Sequence, residues 1–60
     1  MRIETERDIY QRVIIELEIQ GDLFTDDAIS LLEENVEVFN NGFFAGDTPE
    51  NIAGKILQGY

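Results

Sequence analysis

The predicted fold depends mainly on residues 25–42, which read TDDAISLLEENVEVFNNG. Apolar side chains recur at helical spacing along one side of this stretch, where only Asn35 intrudes, and carboxylates occupy the other side. The pattern predicts a helix over about residues 26–40, ended by the Asn-Asn-Gly sequence at 40–42. Its expected solvent face carries Glu33, Glu34 and Glu37.

The start of this helix has its own sequence signals. Thr25 is a suitable N-cap, and Asp26 and Asp27 would then lie in the first turn, where the helix dipole favours negative charge. Phe24, just before the cap, is expected to pack on Ile29 as a hydrophobic staple.

One alternative applies to the second half of the same stretch. Asn41-Gly42 is a strong signal for a tight hairpin turn, with short apolar runs on either side of it. This signal would give an α+β fold with a short hairpin around residues 36–44. The helical pattern that continues unbroken from Ala28 favours the helix.

Two further helices flank this central one. In the first, Thr5 and Asp8 form a variant of the capping box, and Gly21 is expected to end the helix in the left-handed conformation. Thr48 followed by proline predicts the start of the last helix. The prediction is one all-α domain over residues 1–60, with three helices at about 6–20, 26–40 and 49–58.

Charge is distributed unevenly along the chain. Residues 13–54 contain no lysine, arginine or histidine but ten carboxylates, and the whole chain has a net charge of -9. Such a field repels nucleic acid and acidic membrane surfaces and attracts basic protein surfaces. The expected partner is therefore a larger protein with a basic surface, with no direct binding of nucleic acid or membrane.

The composition also argues against catalysis. The chain has neither cysteine nor histidine, so it lacks thiolate chemistry and the commonest general base and transition-metal ligand. Starting at Asp22, the pattern of a calcium-binding loop fails because the glycine at its sixth position is missing. We predict that the protein is not an enzyme and has no cofactor or metal site, and the absence of cysteine favours the cytoplasm.

Two apolar features are candidates for contact surfaces. Phe43 and Phe44 lie in a predicted short connection, where they would either reach solvent or close the end of the core. Ile15 and Ile19 stack one turn apart on an otherwise polar strip of the first helix. They would either be covered by the other helices or form a seam with a second copy.

These features together predict a non-enzymatic binding module. Its carboxylates would occupy a basic, nucleic-acid-handling surface of a larger protein and so inhibit it, with an apolar anchor holding the complex. Small acidic proteins of this kind are often encoded by phages and mobile elements as anti-defence proteins, an association by class. The alternative function is a structural or assembly subunit that folds as a homodimer, with Ile15, Ile19 and the phenylalanines buried between the two copies. The residues predicted to bind the partner are Glu16, Glu18, Asp26, Asp27, Glu33, Glu34, Glu37, Phe43 and Phe44.

Overall fold

The computed structural model describes residues 5–60, and this part of the chain forms four helices without any strand. The all-α prediction is therefore confirmed. The hairpin around residues 36–44 is wrong, because that segment is helical. The helices are α1 (Glu6–Gly21), α2 (Thr25–Glu34), α3 (Val36–Ala45) and α4 (Pro49–Gln58).

Helix α1 begins as predicted and ends one residue later than predicted. The Thr5 hydroxyl accepts from the amide of Asp8 (3.2 Å), and the Asp8 carboxylate accepts from the amide of Thr5 (3.4 Å), which completes the capping box. The left-handed residue at the C-terminus is Asp22 (φ 53°) and not Gly21. Gly21 has a packing role instead, since a Cβ there would lie 2.9 Å from Cδ2 of Leu57 in α4.

Helix α2 starts one residue before the predicted position. Phe24 is at the N-cap and makes no side-chain capping bond, so the predicted Thr25 cap is wrong. Thr25 is the first helical residue, and its hydroxyl donates instead to Oε1 of Glu18 in α1 (2.7 Å). The staple between Phe24 and Ile29 is not formed either, because Phe24 is 82% exposed and a staple would bury most of its ring.

The predicted central helix is divided in two at Asn35. This residue leaves the helical region (φ -120°, ψ 32°), and its side-chain amide donates to the backbone carbonyl of Leu31 (2.8 Å). Asparagine competes with the backbone for hydrogen bonds in this way, which is why it interrupts helices. The three-helix count is therefore wrong, and the described chain has four helices.

Helix α3 continues through the Asn-Asn-Gly sequence that was expected to end it. Gly42 is buried against α4, where a Cβ would lie only 2.6 Å from Cγ1 of Ile52. The helix ends at Gly46, which adopts the left-handed conformation (φ 79°). Helix α4 then starts as predicted, with the Thr48 hydroxyl accepting from the amide of Asn51 (3.2 Å).

Packing around α1 decides which faces remain in solvent. Helix α1 packs along both α2 and α4, and α3 packs mainly on α4. The apolar faces of all four helices meet in one core, so the opposite faces of α1, α2 and α3 point outward. The buried core residues are Val13, Leu17, Ala28, Leu31, Leu32, Phe39, Ile52, Ala53 and Ile56.

Candidate protein interface

The outward face of α2 and the start of α3 form a carboxylate surface, which we call the acidic face. Its five acidic side chains are all exposed, as the helical period predicted for Glu33, Glu34 and Glu37. Residues seven apart on a helix point in nearly the same direction, roughly 10 Å apart along the axis. Asp26 therefore lies in line with Glu33, and Asp27 in line with Glu34. The acidic face comprises Asp26, Asp27, Glu33, Glu34 and Glu37.

The two predicted partner-binding carboxylates of α1 do not lie together. Glu18 accepts a hydrogen bond from Thr25 and so adjoins the start of the acidic face. Glu16 lies on the other side of α1, because two residues of helix correspond to a rotation of about 200°. There it accepts from the Gln20 amide (3.1 Å), which also donates to the backbone carbonyl of Glu50 in α4 (3.3 Å). Of these two carboxylates, only Glu18 therefore adjoins the acidic face.

A row of four aromatic rings leads from the core to solvent. Tyr10 contacts the buried Phe39 edge-on (centroids 5.2 Å apart), and Phe39 stacks on Phe43 (6.1 Å). Phe43 in turn contacts Phe44 edge-on (5.5 Å). The two phenylalanines therefore differ in environment: Phe43 packs against the core, whereas Phe44 is 79% exposed. The sequence predicted that both lie in a connection between helices, but both lie within α3.

Glu33 and Glu37 connect the acidic face to this aromatic row. Burial, and to a lesser extent the charge of the Glu33 carboxylate, raise the pKa of Tyr10, the first ring of the row. Glu37 and Phe44 are seven residues apart in α3 and so share one side of that helix. An exposed ring and a run of carboxylates are therefore neighbours on the same surface.

Ile15 and Ile19 form a separate apolar strip on α1. They are 52% and 69% exposed, so the other helices do not cover them. A small pocket of about 170 Å³ adjoins this strip, where α1 passes the first turn of α4. Sequence reasoning missed the α4 residues at this pocket, because no local pattern shows which helix lies beside Ile15. The pocket is lined by Arg12, Ile15, Glu16, Pro49 and Glu50.

Lys55, the only basic residue after Arg12 in the sequence, donates to the Asp47 carboxylate (2.6 Å) next to α4. Within residues 5–60, no group of three or more acidic side chains is arranged to hold a metal ion. In the same part of the chain, no helix has the length and apolar character needed to cross a membrane.

Comparison with known proteins identifies no relative. The chain matches no protein-family model, and no curated protein or solved structure is significantly similar to it.

Proposed function

We propose that this protein is a non-enzymatic binding module that docks its acidic face and Phe44 onto a basic surface of a larger protein. The observation that carries the proposal is the position of Phe44. Its ring is 79% exposed, contacts the Phe43 ring edge-on, and lies on the same side of α3 as Glu37. Large aromatic side chains of this kind, surrounded by polar residues, are typical anchors of protein complexes.

The ring and the carboxylates have different effects on binding. Full burial of a phenylalanine side chain stabilises by roughly 1.5–3 kcal/mol, and about four-fifths of Phe44 is still available for burial. Exposed carboxylates contribute little affinity each, but their summed field speeds association with a basic surface. We therefore expect the acidic face to set the association rate and Phe44 to set the dissociation rate.

The proposed biological effect is inhibition by competition. Carboxylates displayed on α2 and α3 would occupy positions that nucleic-acid phosphates take on the partner, so the partner would be a protein that handles nucleic acid. We place this encounter in the cytoplasm. Small acidic single-domain proteins of phages and mobile elements often inhibit host defence, CRISPR systems included, and this class association supports an anti-defence role.

The experiment is capture of a partner followed by kinetics. Tagged protein is incubated with host lysate at low salt, and the captured protein is identified and purified for surface plasmon resonance. Phe44→Ala should raise the dissociation rate by roughly 5- to 60-fold, which corresponds to about 1–2.5 kcal/mol of lost burial. Replacing Glu33, Glu34 and Glu37 together with glutamine should slow association, and this effect should shrink as salt rises.

Phe24→Ala is the matched control for Phe44→Ala. Phe24 is also a highly exposed phenylalanine, at 82%, but it precedes α2 and is not part of the aromatic row. We expect this variant to leave the dissociation rate within about twofold. Binding that is insensitive to both Phe44→Ala and salt would contradict the proposal, as would tight binding of DNA or RNA by the isolated protein.

A homodimeric assembly subunit is the second candidate function, because Ile15 and Ile19 are exposed together. The exposed parts of the two side chains add up to little more than one isoleucine per copy. Burying them in both copies would stabilise a dimer by roughly 4–7 kcal/mol, against an association cost of about 4–15 kcal/mol. Two chains of net charge -9 also repel each other, so this strip alone does not support a stable dimer. Light scattering at micromolar and millimolar concentration measures the mass directly.

A further inference from the structure

The pocket beside Ile15 has an amphipathic lining. Ile15 of α1 and Pro49 of α4 supply apolar surface, and Glu16 and Glu50 supply carboxylates from the same two helices. Arg12 completes the lining, so the five residues carry a net charge of -1. At about 170 Å³, the pocket is of the size of one long side chain. Lysine and arginine fit such a lining, since their aliphatic stems cover apolar surface while their charged heads reach oxygen acceptors.

The exposed strip extends this pocket along α1. Ile19 lies one turn beyond Ile15, on the same outward side of the helix, and is 69% exposed. An approaching helix covers such a pair with apolar side chains at positions i and i+4. A basic residue on the same approaching helix, beside those apolar residues, would reach the pocket.

Charge selects the occupant among the alternatives. A second copy of this chain would bring a net charge of -9 against the same charge. Its Lys55 pairs with its own Asp47 at 2.6 Å, and its Arg12 lines its own copy of the pocket. A basic segment from another protein does not meet this repulsion, because the field of the whole chain attracts it.

We propose that the Ile15–Ile19 strip and its adjoining pocket form a second docking surface, which receives a basic amphipathic helix of a partner protein. Apolar side chains of that helix cover Ile15 and Ile19, and one lysine or arginine enters the pocket with its head at Glu16 and Glu50. This surface includes neither Phe44 nor any residue of the acidic face, so its existence does not depend on the function proposed above.

The test uses the full-length chain, labelled with ¹⁵N, and a synthetic helical peptide as the probe. The peptide has alanine at most positions, two leucines four residues apart, and lysines on both sides of them. At low salt, amide shifts should change along residues 12–19 and at Glu50, and not along the acidic face. A scrambled peptide of the same composition, with leucine and lysine out of helical register, should bind at least tenfold more weakly.

Variants identify the residues that hold the peptide. Ile15→Gln with Ile19→Gln should weaken peptide binding at least tenfold, and Glu50→Gln about threefold. Glu6→Gln is the matched control for Glu50→Gln, since it removes the same charge from an exposed first-turn glutamate of α1. Neither this control nor Phe44→Ala should change the affinity. Phe44→Ala thereby separates this surface from the function proposed above.

Several outcomes would overturn the proposal. The first is a set of shift changes confined to α2 and α3, and the second is equal affinity of the scrambled peptide. The third is equal affinity of the Ile15→Gln, Ile19→Gln variant, whose folding is checked by its circular dichroism and melting temperature. A dimer that is abolished by this same variant would show that a second copy occupies the strip, and would also overturn the proposal.

Discussion

The same substitution, glycine to alanine, should have opposite effects on stability at Gly42 and at Gly54. Both residues lie within helices, Gly42 in α3 and Gly54 in α4. Alanine is favoured over glycine in a helix interior by about 1 kcal/mol, so local propensity alone predicts that both variants are stabilised. Tertiary packing distinguishes them, because only one of the two positions has space for a methyl group.

The magnitudes follow from the neighbours of each added Cβ. At Gly54 the nearest atom is Oε1 of Gln20 at 3.8 Å, an ordinary contact, so Gly54→Ala should gain about 1 kcal/mol. At Gly42 the methyl group would lie 2.6 Å from Cγ1 of Ile52, which is fully buried. Cγ1 is the first branch of that side chain and moves only with a change of χ1 or of the backbone. Overpacking of this kind costs roughly 1–3 kcal/mol. Subtracting the propensity gain of about 1 kcal/mol leaves a net loss of about 0–2 kcal/mol, so we expect Gly42→Ala to lose about 1 kcal/mol.

Thermal and urea unfolding, followed by far-ultraviolet circular dichroism, measure both variants. A change of 1 kcal/mol moves the melting temperature of a domain this small by about 4–8 °C, so the two variants should melt on opposite sides of the wild type. If Gly42→Ala were stabilised as much as Gly54→Ala, α3 would not approach α4 as closely as described. The positions of Phe43 and Phe44, which depend on that approach, would then need revision.

Two further predictions concern a titration and a cap. In a Tyr60→Phe background, the absorbance of Tyr10 should titrate at a pKa above the usual value near 10, because burial and Glu33 disfavour the phenolate, and Glu33→Gln should lower that pKa. Because folding favours the neutral phenol, the free energy of unfolding should fall as pH rises above about 10. Tyr10→Phe should remove this loss. If the variant lost stability with pH as the wild type does, Tyr10 would not be its cause. Thr48→Ala removes the acceptor for the Asn51 amide and should lower the free energy of unfolding by about 1 kcal/mol, with Thr48→Asn retaining most of the wild-type value as the control.

The local signals in the sequence predicted much of the helical structure. Thr5 with Asp8, and Thr48 with the following proline, marked the starts of α1 and α4, because a cap is made by residues within one turn of each other. The exposed positions of Glu33, Glu34 and Glu37 followed from helical period in the same way. These features depend on neighbours in the chain, so they can be read before any tertiary contact is known.

The sequence was misread where a local signal competed with packing. Asn40-Asn41-Gly42 has the composition of a helix end or a hairpin turn, yet α3 continues through it. Gly42 lacks a side chain, and this allows α3 to pack closely against Ile52. The glycine therefore serves helix packing and not a turn. Conversely, Asn35 interrupted a pattern that looked continuous, because its side chain bonds to the carbonyl of Leu31.

The sequence by itself determined an acidic, all-helical chain with its carboxylates outward, because helical period and charge are properties of the residues alone. Only the tertiary structure decided which of these residues lie together. It set Glu18 beside Thr25 of α2, and it set Phe44 in solvent while Phe43 packs on the core. It also brought Pro49 and Glu50 beside Ile15. The reason is that each of these neighbourhoods depends on how two helices pack, and helices distant in sequence can pack in more than one way.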